Sequence, residues 1–403
     1  MTTDQKRIIL ATVPILKEHG VLLTTHFYKR MFIHNPELKN LFNMGNQQQG
    51  KQQNALAFAV LAYAENISDP SVLLPVVDRI GHKHTSLNIQ PEQYMVVGKH
   101  LLASISEVLA DAATPEILDA WSAAYAQLAA LMSGHEATLY EKQTMAVNGW
   151  TGWRLFEIGK RVKESDEICS FYLYPADKGK VSPHLPGQFI SLKLFLPDLN
   201  LDQIRQYSIS NSPGDEYYRI SVKRERGSDL DSNGLISNRL HDFMQVGSTV
   251  ELTSPSGNFV IPEKLDSPVM FISGGVGLTP FMSMIQYLAD QGKKSPVTWL
   301  HGCRNSSVHA FKDDLTKLTE KYDHIQQHVF YNTPSEQELS NGIYGGHLNL
   351  NTVKAISHTA DTLYYVCGPS AFITKQVNDL KNSGVNTERI FFEEFGPQVL
   401  QLN

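Results

Sequence analysis

Four positions separate Ile80 from His84, so the two side chains share one face of a helical run that starts near Ser71. Leu73, Leu74, Val76 and Val77 make that run apolar enough to bury. A buried imidazole must hold a hydrogen bond or a metal ion. The chain carries 15 histidines, so a satisfied core or surface histidine competes with an iron ligand at His84. Phe27, Met31, Phe32 and Phe42 are bulky apolar candidates for the walls around a flat hydrophobic cofactor. Tyr28 and Gln52 can donate hydrogen bonds to a bound ligand, and Tyr94 and Glu136 can brace an imidazole from behind. Each aromatic alone also fits plain core packing, and Glu136 alone fits a solvated helix face. Spacing does not show that these residues converge.

A second set lies downstream. Arg205-Gln206-Tyr207-Ser208 matches the Arg-x-Tyr-Ser signature of ferredoxin-reductase-like flavoproteins. There the arginine serves the diphosphate, the tyrosine lies on the flavin ring and the serine meets the ring's polar edge. Coincidence competes with so short a match. Pro186-Gly187-Gln188-Phe189 is the accompanying turn, and its aromatic position contacts FAD in those proteins. Gly234-Leu235-Ile236-Ser237-Asn238 reads as a turn into a helix N-terminus, whose N–H groups can hold phosphate oxygens. Lys223, Arg224 and Arg226 make that area basic. Gly274-Gly275-Val276-Gly277-Leu278-Thr279-Pro280 follows a short apolar strand and opens a helix, a nucleotide-binding context. With Thr279-Pro280 it resembles the NAD(P)H loop of the same reductases. Cys367-Gly368-Pro369 ends another strand and lies near the nicotinamide in that family, although Cys367 also fits a small apolar strand residue. Arg304 fits either a ribose-phosphate contact or a solvated strand end.

The elements needed to position these groups are legible in outline. Residues 1 to about 146 show helical runs: Asp4–Glu18 with Pro14 inside, Val21–His34, Pro36–Phe42, Lys51–Asn66, the His84 run, Pro91–Leu109 and a last one from Thr114 to Met145. Asn43–Gly50 reads as a turn. Their uneven lengths fit an orthogonally packed all-helical fold. Helix gives way at Val147-Asn148-Gly149-Trp150. Short alternating runs follow at Arg154–Glu164, Ile168–Pro175, Gly187–Phe195, Arg205–Ser210, Tyr217–Lys223 and Thr249–Thr253, which suggests a small antiparallel barrel. Strands at Val269–Ser273, Val297–Gly302, His328–Tyr331 and Leu363–Cys367 then alternate with helices at Phe281–Gln291, His309–Lys321 and Phe372–Lys381. That alternation predicts a parallel α/β sheet. The expected domains are residues 1–147, 150–262 and 266–403.

Composition narrows the function classes. Of 403 residues, 42% are apolar and 19% charged, and 35 basic against 41 acidic residues give a net charge of −6. Such a surface has no general attraction for nucleic acid or anionic lipid. Cys169, Cys303 and Cys367 form neither a metal knuckle nor a disulfide framework, as expected of a reducing compartment. No signal-peptide core or bilayer-length apolar run is expected, so the cytoplasm is the expected location and stable membrane association is not expected.

The helical third resembles the globin domain of bacterial and yeast flavohaemoglobins. The resemblance rests on His26-Phe27-Tyr28, His34-Asn35-Pro36-Glu37-Leu38, Phe42-Asn43-Met44, Lys83-His84-Thr85-Ser86 and Pro91-Glu92-Gln93-Tyr94. It continues through Pro255-Ser256-Gly257-Asn258-Phe259 to Phe391-Phe392-Glu393-Glu394-Phe395-Gly396-Pro397, from about residue 5 to 398. It implies an all-α globin domain, an antiparallel β-barrel FAD domain and an α/β NAD(P)-binding domain. It makes His84 the proximal ligand of haem b iron, with Tyr94 and Glu136 bonded to it and Lys83 beside it. Tyr28 and Gln52 fall on the distal side, Leu56 presses near the iron and Phe42 packs on the haem. Phe395 covers the flavin ring until nicotinamide displaces it. Glu394 departs from the cysteine that many members carry there.

The implied activity is nitric oxide dioxygenase: electrons from NADH or NADPH pass through FAD to haem, and nitric oxide and O2 become nitrate. The resemblance also implies a monomer and, as in some members, lipid in the distal pocket. Two rival readings are an oxygen-binding or sensing globin with a built-in haem reductase, and a reductase whose helical third only binds a partner.

Overall fold

The computed structural model describes residues 1–227, 233–339, 342–353 and 361–396. The helical third is built from α1 (Thr3–His34), α2 (Met44–Gln48), α3 (Lys51–Glu65), α4 (Leu74–Ser86), α5 (Pro91–Leu109) and α6 (Pro115–Met145). Two helices were expected before His34, yet α1 runs through both Pro14 and Gly20. Proline removes one backbone donor, and packing on α3, α5 and α6 outweighs that loss. Gly20 marks a close crossing instead of a break, since a Cβ there would lie 3.6 Å from the Ala57 Cβ. By length and composition α1 is apolar enough to cross a bilayer, contrary to expectation. Ile9, Leu16, Leu23, Phe27, Tyr28 and Met31 instead bury it in the helical core.

The predicted Pro36–Phe42 helix is a 3-10 turn over Pro36–Asn40, and the predicted turn after it contains α2, capped by Asn43. The run from Ser71 is likewise divided into a 3-10 turn, Pro70–Leu73, and α4.

The second part is an antiparallel sheet of β1 (Arg154–Lys163), β2 (Ile168–Pro175), β3 (Phe189–Leu196), β4 (Leu201–Ser208), β5 (Tyr218–Lys223) and β6 (Thr249–Leu252). Strand order is β4-β3-β6-β1-β2-β5, and an Ile209–Ile220 bridge joins its two ends into a barrel. Strand β4 starts four residues before the predicted Arg205, because Leu201 already pairs with Leu196 across the tight β3–β4 turn. Helix α7 (Leu235–Asp242) packs on the barrel through Ile236 and Leu240.

The third part is a parallel sheet of β7 (Val269–Gly274), β8 (Val297–Cys303), β9 (Ile325–Tyr331), β10 (Ile343–Gly345), β11 (Leu363–Gly368) and β12 (Ile390–Glu394). Its order is β10-β9-β8-β7-β11-β12, with α8 (Thr279–Asp290), α9 (Lys312–Lys321) and α10 (Ser370–Asn382) as connections. Helix α9 begins after the predicted His309, because Phe311 takes a left-handed φ of 58°. The Phe391–Glu394 stretch, read as tail motif, is strand β12 paired with β11. Pro397 and the rest of the tail lie outside the described residues.

Candidate functional site

His84 occupies the last turn of α4. Its Nδ1–H donates to the Glu136 Oε1 at 2.7 Å, and the Tyr94 hydroxyl donates to the same oxygen at 2.5 Å. Glu136 is buried at 3% exposure, so a partnered carboxylate is what the site requires. Burial and the Glu136 contact push the Tyr94 phenol far above its ordinary range, which keeps it a donor. A close approach of α4 and α6 makes this triad fit. A Cβ on Gly81 would sit 2.7 Å from the His135 ring. With Nδ1 committed, Nε2 is the imidazole's remaining ligating atom. Among the described residues no group of three or more His, Cys, Asp or Glu side chains could hold a metal ion. A single imidazole of this kind suits a haem iron, whose other in-plane ligands the macrocycle supplies.

The expected distal residues also meet. Tyr28 is buried and hydrogen-bonded by Gln52, and burial pushes its phenol well above the ordinary range. The Phe42 ring stands edge-on to Tyr28 at 5.6 Å, and Phe32 stacks at 6.0 Å. Leu56 lies one turn beyond Gln52 on α3 and packs against the core that holds Tyr28.

On β4, the Ser208 hydroxyl is buried with no hydrogen-bond partner among the described residues. Such an orphan is costly unless a bound group completes it. Arg205, half-buried, donates among the described residues only to the backbone oxygen of Ile204, at 2.7 Å. A cation so placed suits a diphosphate. Tyr207 lies against the barrel core beside it. Gly234 precedes α7, and a Cβ there would fall 2.6 Å from the Ser237 Oγ and 2.8 Å from the Glu225 Cβ. Among the described residues no side chain caps α7, and Leu235 and Ile236 carry its first amides. Phe189 at the start of β3 abuts Gly257.

At the carboxyl edge of the parallel sheet, Gly274 leads into a 3-10 turn over Gly275–Leu278, where Gly275 has a φ of 56°. Thr279-Pro280 then starts α8. A Cβ on Gly277 would meet the Cys367 carbonyl oxygen at 2.3 Å, so the loop rests directly on Cys367-Gly368. Pro369 caps α10 just beyond. Burial and nearby Glu393 push the Cys367 thiol well above its usual range. Glu393 itself is half-buried as a residue while its Oε2 is sealed and has no partner among the described residues, and burial pushes it up to about 8. Glu394 accepts from the Ser370 hydroxyl, and its charge opposes the effect of burial on Lys83. Phe395 is 46% exposed just after β12. Arg304 is paired with Glu167 from the β1–β2 turn.

These parts meet on α4. The Gly257 N–H donates to His82 Nδ1 at 3.1 Å, Asn258 donates to Asp78 at 2.6 Å, Arg79 covers the Phe392 ring at 5.6 Å and Ser191 donates to Ser86 at 3.0 Å.

The globin family model matches residues 25–132, and the model for the oxidoreductase NAD-binding domain matches residues 271–378. A flavohemoprotein of Chromobacterium violaceum is 47% identical over 399 residues, 98% of each chain. The chain belongs to the flavohemoprotein family. The family member from Bordetella parapertussis is 46% identical over 98% of each chain. A flavohemoglobin structure from Malassezia yamatoensis, with bound FAD and heme, shares the fold at a TM-score of 0.86 and 24% identity, covering 98% of this chain and 99% of its own. The FAD/NAD-binding domain of a nitric oxide dioxygenase from Vibrio cholerae matches 60% of this chain and 99% of its own at 36% identity and a TM-score of 0.56. The flavohemoprotein architecture thus covers the helical, barrel and α/β parts together.

Sequence reasoning did not single out Ser191, Glu393, Arg79 or His82. Ser191 carries no signal, because only the β3 register reveals what it meets. Glu393 lies within the Phe391–Pro397 motif and His82 beside Lys83-His84-Thr85-Ser86, and neither motif marks them apart from their neighbours.

Proposed function

We propose that this chain is a nitric oxide dioxygenase that uses NADH or NADPH, FAD and haem b. When bound, these groups supply hydride, its division into single electrons, and an iron at which O2 meets nitric oxide to give nitrate. The His84–Glu136–Tyr94 triad carries the reading. A carboxylate on Nδ1 makes the imidazole a stronger electron donor at Nε2, which suits oxygen chemistry better than simple oxygen storage. His84 holds the iron, and Lys83, Phe42 and Leu56 border the haem. Tyr28, kept protonated by burial and hydrogen-bonded by Gln52, would serve as the hydrogen-bond donor on the distal side of the haem. Arg205 and the α7 N-terminus at Gly234, Leu235, Ile236 and Ser237 hold the diphosphate of FAD. Tyr207 and Phe189 pack on the flavin ring, and Ser208, helped by Gln206, meets its polar edge. The Gly274–Pro280 loop holds NAD(P)H, with Cys367, Gly368, Pro369 and Phe395 around the nicotinamide. The globin, FAD and NAD(P)H functions occupy residues 1–147, 150–262 and 266–403. The protein acts as a cytoplasmic monomer, and its three cysteines are free and buried.

The test is nitric oxide consumption by the purified holoprotein in air. One hydride carries two electrons and each nitrate consumes one, so about two nitrates form per NAD(P)H oxidised. Nitric oxide removal independent of NAD(P)H would overturn the reading.

A further inference from the structure

A chain of hydrogen bonds, buried at its central link, joins the two motifs that carry most of the proposed chemistry. The Gln206 side-chain N–H donates to the Ser191 Oγ at 3.3 Å. The Ser191 hydroxyl donates to the Ser86 Oγ at 3.0 Å, and the Ser86 hydroxyl donates to the Lys83 carbonyl oxygen at 2.8 Å. Every link points the same way, and each hydroxyl both accepts and donates, so the bonds reinforce one another. Ser86 and Ser191 are both 0% exposed, so water cannot replace the bond between them. Gln206 stands between Arg205 and Tyr207, while Lys83 immediately precedes His84. The chain thus starts in the flavin motif and ends on a carbonyl at the C-terminus of the histidine helix.

Ser191 cannot drift from this position. Its own N–H donates to the Thr253 Oγ1 at 3.2 Å, and its carbonyl accepts from the Thr253 N–H at 3.1 Å. The Ser191 side chain, spaced 105 residues from Ser86, is therefore a fixed donor presented by the barrel to α4. The Asp78 and Asn258 contact between the same two parts is solvent-exposed and weaker as an anchor.

We propose that Ser191 is a positioning residue for electron exchange: it sets the height of the His84 helix on the flavin strands. This rests on the proposed function, in which one electron leaves reduced flavin as ferric iron becomes ferrous. Removing the Ser191 hydroxyl leaves the Ser86 oxygen without its donor in a dry interface and lets the end of α4 move.

Anaerobic stopped-flow mixing of the holoprotein with NADH separates the two electron steps. Flavin bleaching follows the first, and the shift of the haem Soret band follows the second. In Ser191→Ala the haem step slows roughly tenfold while bleaching stays within about twofold of wild type. Ser86→Ala does the same, and the double variant is no slower than either single, because both remove one bond. Hydrogen exchange gives a readout without turnover: the amides of Leu87 and Ile89, which bond to the last α4 carbonyls, exchange about tenfold faster in Ser191→Ala while α6 is unchanged. A haem step at the wild-type rate overturns the proposal. Equal slowing of both steps also overturns it, since that marks general loosening. If the wild-type protein shows no Soret band, the functional reading fails instead, and the exchange experiment alone decides whether Ser191 anchors α4.

Discussion

His84 and Glu136 are joined at 2.7 Å across 52 residues of sequence, with the imidazole donating from Nδ1 to a carboxylate that is almost wholly buried. The bond fixes the ring orientation and adds negative character to the other nitrogen. Glu136→Gln keeps the shape and removes the charge. The haem reduction potential then rises, since a less electron-rich ligand favours ferrous iron, and turnover falls roughly 10- to 100-fold. Spectroelectrochemistry and nitrate assays read both changes. An unmoved potential would show that the pair is only structural.

Tyr28 is the buried hydroxyl proposed to face the bound oxygen. Tyr28→Phe removes a hydrogen bond to a partly charged group, about 1.5–3 kcal/mol, so O2 leaves roughly 10- to 100-fold faster. Turnover falls most at limiting O2. Flash photolysis and stopped-flow off-rates test this directly, and equal off-rates in the two proteins would remove Tyr28 from the distal role.

Much of this is legible in the amino-acid sequence. Helices α5 and α6 start where Pro91 and Thr114-Pro115 put them, since proline suits a first turn and threonine caps one, and strand β2 fills its predicted Ile168–Pro175 run. Gly20 suggests a helix break that α1 does not have, since a glycine that permits close helix crossing looks the same in sequence as one that ends a helix. The triad at His84 was named from a resemblance, because its members come from α4, α5 and α6 and no local spacing encodes their meeting. Ser191 was beyond reach for the same reason: its partner lies on another part of the fold.

Gly277 tests the nucleotide loop. A side chain there would collide with backbone atoms of Cys367 and Gly368, which cannot rotate away. Gly277→Ala costs about 1–3 kcal/mol of stability through forced backbone movement. It also raises the KM for NAD(P)H while the Soret band is unchanged. A normal KM would show that the loop holds no nucleotide.

His184 gives the pH prediction. Burial pushes it down to about 4 from 6.5, and its Nε2–H donates to the Asn211 carbonyl beside Ser283 of α8. Between those values the unfolded chain binds the proton and the folded one does not, so stability falls as pH drops from about 6.5 to about 4. The full effect is on the order of 3 kcal/mol. Denaturant titrations across this range should show a shallower acid loss in His184→Leu than in wild type. Parallel pH profiles would contradict it.

The central claim is that electrons from NAD(P)H reach an iron held by His84. The most direct measurement is the absorption spectrum of purified protein under argon as NAD(P)H is added, followed by O2 and then nitric oxide with nitrate assayed. The account predicts flavin bleaching, then a shift of the Soret band to the ferrous position, then oxygen binding and nitrate formation, with the Soret band lost in His84→Ala. A ferric Soret band that stays put after the flavin is fully reduced, or an unaltered haem spectrum in His84→Ala, would contradict it.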